Sequence, residues 1–162
     1  MAAPAIFTEQ EQDFLRELTR QEVEFLIVGL AAAALQGAPA VTQDIDLWFR
    51  DPAAPGLRKA LDKVGGIYVP ATSSTPPMLA GKTVALFDIV LTMHGLEAFE
   101  REAVNALEMQ LERVKVRVLP LARIIASKKA ANREKDRLVL PILEDAQAAS
   151  LDNEEDGNDE SE

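Results

Sequence analysis

The chain has 162 residues, 48% of them hydrophobic, and a formal net charge of −10. That length favours one domain with room for a real core, and no window approaches the roughly 18 consecutive apolar residues of a membrane-spanning helix. With no cysteine in the chain, disulfides, thiolate metal sites and a cysteine nucleophile are all excluded.

The charge is unevenly spread. Residues 152–162 hold seven acids and no base, while nine of the 17 basic residues lie between Arg113 and Arg137. The balance therefore reads as a basic late segment followed by an acidic tail, rather than as a uniformly acidic surface. The opening residues, MAAPAIFTEQEQDF, lack a basic region followed by a long apolar core. No signal peptide is read there, and the expected location is the cytoplasm.

In chain order, Thr8 with Glu11 has the form of a capping box, and Phe14, Leu15 and Leu18 follow at helical spacing, predicting a helix over 9–21. Phe25-Leu26-Ile27-Val28 predicts a strand, within about 24–28, that breaks at Gly29. An alanine-rich helix follows over 30–36, then a turn at Gly37-Ala38-Pro39 and a second strand over 45–49. Residues 54–64 read as a helix stopped by Gly65-Gly66, residues 67–69 as a short strand, and residues 72–77 as a loop. The apolar stretch 82–91 reads as a central strand, 96–106 as a helix, and 109–118 as a strand or hairpin. Pro120 suits the first position of a helix reaching Ala131. A last helix over 134–148 would set Leu138, Leu140, Ile142 and Leu143 against the core, with Pro141 a kink or break. Residues 149–162 are acidic and nearly free of apolar side chains, so a disordered tail is expected beyond a single domain of residues 1–148.

Three acids stand out. Asp44 and Asp46 alternate along the second strand and so share a face. Two carboxylates on one face repel each other and resist desolvation, and a divalent cation is the usual compensation. Asp88 is isolated in the apolar stretch 84–91. It either pairs with a base such as Lys128 or supplies a third carboxylate to a site able to hold two Mg²⁺ ions. Lys128, Lys129, Arg133 and Lys135 either reach a phosphate or form an ordinary solvated helix face. Trp48 either stacks on a base or packs in the core. His94, the one histidine, sits in a turn, where a structural or solvated role is commoner than a catalytic one.

The segment Val28-Gly29-Leu30, thirteen residues, then Asp44-Ile45-Asp46-Leu47 resembles the signature of the nucleotidyltransferase superfamily. That signature is hydrophobic-Gly-[Gly/Ser], a spacer, then Asp-hydrophobic-[Asp/Glu]-hydrophobic. Thr42 fits the common Thr-x-Asp form, and Phe87-Asp88-Ile89-Val90 is similar to the strand that carries a third carboxylate. Residues 124–136 are similar to the late Lys…Arg-x-Lys-Asp region of a small bacterial branch that includes abortive-infection toxins of toxin–antitoxin systems. The resemblance spans about residues 10–146.

This resemblance implies an α/β (α+β) fold, a small mixed β-sheet with flanking helices. It implies Mg²⁺-dependent transfer of a nucleoside monophosphate from a nucleoside triphosphate such as ATP to a hydroxyl on RNA, a protein or a small molecule. Asp44, Asp46 and Asp88 would be the catalytic, metal-binding residues, with two Mg²⁺ ions; Gly29, Leu30, Thr42, Lys128, Lys129 and Asp136 would bind the nucleotide. The implied partners are a nucleotide, tRNA or a protein acceptor, and a cognate antitoxin. One position departs from the signature. Leu30 stands where the family has Gly or Ser, and it either crowds the β- and γ-phosphates or points into the core. The alternative reading is a nucleotidyltransferase-fold binding module that has lost catalysis.

Overall fold

A strand of four consecutive apolar residues has no polar face to offer solvent, so it must lie inside a sheet. The computed structural model, which describes residues 6–159, puts Phe25–Val28 there as β1, buried on both faces. Ahead of it runs α1 (Glu9–Arg20); behind it come α2 (Gly29–Leu35), β2 (Ile45–Phe49) and α3 (Pro55–Val64). Then follow β3 (Ile67–Val69), β4 (Met78–Ala80), β5 (Phe87–Val90), α4 (Phe99–Val104), β6 (Leu107–Gln110), β7 (Lys115–Val118), α5 (Leu121–Ala131) and α6 (Glu134–Asp159).

The main sheet is mixed, in the order β5-β2-β1-β7-β6, and β3 with β4 forms a separate antiparallel ribbon. Next to β1, β2 runs antiparallel and β7 parallel; β5 lies parallel to β2 at the edge. The register pairs Val28 with Asp46 and Asp46 with Asp88. One row across three strands therefore carries the end of β1, the second acid of β2 and the acid of β5.

Helix α1 begins as its sequence predicts. Thr8 Oγ1 accepts from the Glu11 amide at 3.1 Å, and Glu11 Oε1 accepts from the Thr8 amide at 2.9 Å. These two bonds satisfy otherwise orphan donors of the first turn. Phe14, Leu15 and Leu18 are fully buried, and Phe14 meets Phe87 of β5 edge-on with ring centroids 5.0 Å apart. That contact seats the edge strand on α1. At the other side of the sheet, Gln36 clamps the start of α5: its amide nitrogen donates to the Leu119 carbonyl at 2.9 Å and its oxygen accepts from the Leu121 amide at 2.8 Å.

Four expectations need correction. The stretch 82–91 is not a long central strand: only Phe87–Val90 is strand, and it lies at the sheet edge. Val84 is buried, but in a turn closed by Phe87 N–H to the Val84 carbonyl, so its apolar character comes from packing outside the sheet. An apolar run does not by itself distinguish the two. The helix expected over 96–106 forms only at Phe99–Val104. Pro120 is the residue that caps α5 rather than its first helical position. Finally, α6 runs through Pro141, which forgoes one backbone bond, and its core-facing side differs from the one expected. On this helix Leu143 is fully buried and Leu140 packs on the core, while Leu138 and Ile142 face outward. Residues 160–162 of the expected tail lie outside the described residues.

The Phe14–Phe87 contact carries a direct test. Replacing Phe14 by Ala should lower stability by about 3–5 kcal/mol, read from the midpoint of urea unfolding with an unchanged slope.

Candidate active site

Where β1 gives way to α2, the chain turns through Gly29 with a φ of +68°. A non-glycine residue is strained there. Space forbids one as well, since a Cβ on Gly29 would lie 2.6 Å from Asp46 Oδ2. The missing side chain is what lets the Asp46 carboxylate rest against the turn. On the way into β2, the Thr42 hydroxyl donates to the Asp44 carbonyl at 2.8 Å, fixing the loop from which Asp44 projects. Asp46 then faces Asp88 across the parallel pair. Gly29, Leu30, Thr42, Asp44, Asp46 and Asp88 all line one open cavity of about 460 Å³, within the roughly 300–1,000 Å³ usual for small-ligand sites.

The opposite wall is basic. Lys128 reaches the cavity from α5, and Arg133 and Lys135 from the turn into α6. Asp136 organises them from behind. It is fully buried, and accepts from Arg133 through the backbone N–H at 3.1 Å, Nε at 2.7 Å and Nη2 at 3.3 Å. Lys128 Nζ also donates to Oδ1, the oxygen shared with Arg133 Nη2, at 3.4 Å. The turn that makes this possible passes through Asn132, whose left-handed backbone ends α5.

These surroundings push the acids apart in strength. Burial raises the pKa of Asp46, and the nearby charges of Asp88 and Asp44 raise it further, with Lys128 and Lys135 opposing. Asp88 is raised by partial burial and then by Asp44. For Asp136, burial works upward, but the hydrogen bonds from Arg133 and the charge of Lys128 more than offset it and bring the pKa down to about 2. The cavity thus joins carboxylates that resist ionisation to cations held by one that ionises readily.

Among the described residues, no three acidic or histidine side chains come close enough together to enclose a metal ion. The donor chemistry nevertheless suits Mg²⁺, a hard cation that is usually held by one or two carboxylates together with substrate phosphates rather than by an all-protein cage. Not every residue singled out by sequence reaches the cavity. Lys129 points away and pairs with Glu144 at 3.1 Å. Asp136 acts through Lys128 and Arg133. Trp48 is in the core, edge-on to Phe99 at 5.5 Å, and its Nε1 donates to the Leu91 carbonyl. His94 is exposed and lines the cavity. Thr92, Met93 and Ser127 line it too and were not foreseen. Thr92 continues the alternation of Asp88 and Val90, and Ser127 follows Ile124 by one helical turn, so both were accessible to periodicity.

No family model matches this sequence, and no curated protein matches it. Solved structures do match in shape: the sheet and its flanking helices form a nucleotidyltransferase-like fold. One such structure is a crystal structure of ANT(2″)-Ia in complex with adenylyl-2″-tobramycin, with a TM-score of 0.59 and 16% identity over 90% of this chain and 99% of that one. A solution structure of the same antibiotic-resistance factor gives a TM-score of 0.58 and 15% identity over 93% and 94% of the two chains.

The Asp136 network predicts a pH-dependent variant. Because its folded pKa, about 2, lies below the ordinary aspartate value of 3.8, Asp136 stabilises the fold above 3.8 and loses that contribution as pH falls through about 2. Asp136→Asn should therefore lower stability by about 3 kcal/mol near neutral pH, since it strips a buried partner from two cations. Urea unfolding at a series of pH values should show the difference narrowing as pH falls below 3.8.

Proposed function

We propose that this chain is a Mg²⁺-dependent nucleotidyltransferase that moves a nucleoside monophosphate from a nucleoside triphosphate to an acceptor hydroxyl and releases pyrophosphate. The observation that carries this reading is the facing of Asp44, Asp46 and Asp88 against Lys128, Arg133 and Lys135 across one cavity, on the fold shared with ANT(2″)-Ia.

In this reading Asp46, with Asp44 and Asp88 beside it, would hold Mg²⁺ together with the phosphates of the nucleotide, and the bound ion would supply Lewis-acid stabilisation of phosphate charge. Lys128, Arg133 and Lys135 take the β- and γ-phosphates and the negative charge that collects on the leaving pyrophosphate. Asp88 accepts the proton of the acceptor hydroxyl as its oxygen forms a bond to the α-phosphorus and the bond from that phosphorus to the bridging oxygen breaks. Gly29 keeps the approach to Asp46 open.

The adduct in the ANT(2″)-Ia crystal structure, adenylyl-2″-tobramycin, favours a small-molecule acceptor here as well. An RNA or protein acceptor, and a cognate antitoxin partner, rest on the sequence resemblance alone. One observation favours the second reading, a binding module without catalysis: Leu30 does line the cavity, at the position where the signature has Gly or Ser.

The two readings separate in one assay. Each α-labelled nucleoside triphosphate is incubated with Mg²⁺, the protein and pools of small molecules, RNA and protein extract. The proposal predicts Mg²⁺-dependent transfer of label, reduced at least about a hundredfold by Asp46→Ala. Mg²⁺-dependent nucleotide binding without transfer would select the binding module, and equal labelling by both proteins would overturn the site.

A further inference from the structure

An antiparallel strand pair with one side on the core commonly shows polar residues on its other side. The β3–β4 ribbon does not. Its inner side carries Tyr68 and Leu79, which pack against the core. Its outer side sets Ile67 opposite Ala80 and Val69 opposite Met78. Ile67 is 63% exposed and Met78 54%. The ribbon is therefore apolar on both faces, the pattern of strands that are covered on both faces. The rim of this surface is basic. Arg58 lies over the Tyr68 ring at 5.2 Å, Lys63 sits in the last turn of α3 just ahead of β3, and Lys82 follows β4. With Lys59, these make four exposed bases between residues 55 and 86, and Asp62 is the one acid there.

Helix α6 has an outer surface of the opposite sign. Leu138 and Ile142, one turn apart, share the side turned from the core, and Leu138 is 71% exposed. Ala149 returns to that side two turns further on. Residues 138–153 hold three acids, Glu144, Asp145 and Asp152, and no base. The ribbon face and this helix side are both exposed, so they do not cover each other within one chain.

We propose that the outer face of the β3–β4 ribbon docks the outer side of α6 from a second copy of this chain. The charges select this pairing. Ribbon against ribbon would set base against base, and α6 against α6 would set acid against acid. Ribbon against α6 joins apolar to apolar and sets the acids of one copy beside the bases of the other. The contact uses two different surfaces, so it is head to tail: a pair keeps one free ribbon and one free α6, and further copies add to them. None of Ile67, Met78, Leu138 and Ile142 lines the catalytic cavity, so the assembly is independent of the proposed chemistry.

The test is sedimentation equilibrium of the full chain at concentrations up to about 1 mM, the weak end of the affinity scale. One variant alters the ribbon, Ile67→Thr with Met78→Gln; the other alters the helix, Leu138→Gln with Ile142→Gln. All four positions are exposed, threonine suits a strand and glutamine a helix. The wild type should show a mean mass above that of one chain, rising with concentration. Each variant alone should stay at the mass of one chain. An equimolar mixture should reach the mass of two chains and stop there, because the intact α6 of the ribbon variant meets the intact ribbon of the helix variant. That recovery also shows that both variants are folded. A wild type that stays monomeric overturns the inference. So does a variant that associates like the wild type, as a symmetric contact would allow, or a mixture that stays at the mass of one chain.

Discussion

Asp46 and Asp88 are held side by side by strand register, and the charge of Asp44, from the loop before β2, makes both harder to ionise. Asp46 feels both neighbours, and its position is not negotiable: it sits in the second strand of the sheet, paired to Val28 on one side and Asp88 on the other. Relaxing the repulsion by moving one strand would break the ladder that buries Leu47 and Ile27. The fold therefore maintains a local electrostatic penalty, and such strain persists where the surrounding structure over-determines it. Gly29 belongs to the same constraint, because any side chain there would displace the Asp46 carboxylate.

The basic wall answers this penalty without cancelling it. Lys128 and Lys135 lower the pKa of Asp46, yet the net shift stays upward. The reason is burial of the Asp46 carboxyl, followed by the charges of Asp88 and Asp44; Lys128 and Arg133 meanwhile pair with Asp136, a stronger acid at the back of the wall. Asp136 keeps the two cations in place and spaced from the acids, so the cavity stays open between two walls of opposite sign. An Mg²⁺-bound polyphosphate has the matching order of charges, with the cation toward the acids and the phosphate oxygens toward the bases.

Much of this was legible in the sequence. β1 and β2 follow from apolar runs, whereas Asp44, expected to share a strand face with Asp46, lies in the loop before β2 and lines the same cavity from there. The helix start at Thr8 was readable because a capping box is a local pattern with two specific bonds. Asp88 was legible as an isolated acid, though the expected cost was misjudged, since it lies exposed on an edge strand rather than inside the sheet. Edge or centre is decided by strand order, which a single apolar run does not encode. Both Lys128 and Lys129 were expected at the nucleotide, but the rotation of α5 sends Lys129 to Glu144 and Lys128 to Asp136.

The most direct test of the account is the Asp46 carboxyl pKa, followed by carbon-13 NMR on the free protein and again with Mg²⁺ and a non-transferable nucleoside triphosphate analogue. The account predicts a value above 3.8 in the free protein and a fall below it when cation and nucleotide are bound together. An Asp46 that titrates normally when free, or whose raised value is unmoved by Mg²⁺ and nucleotide, would contradict it.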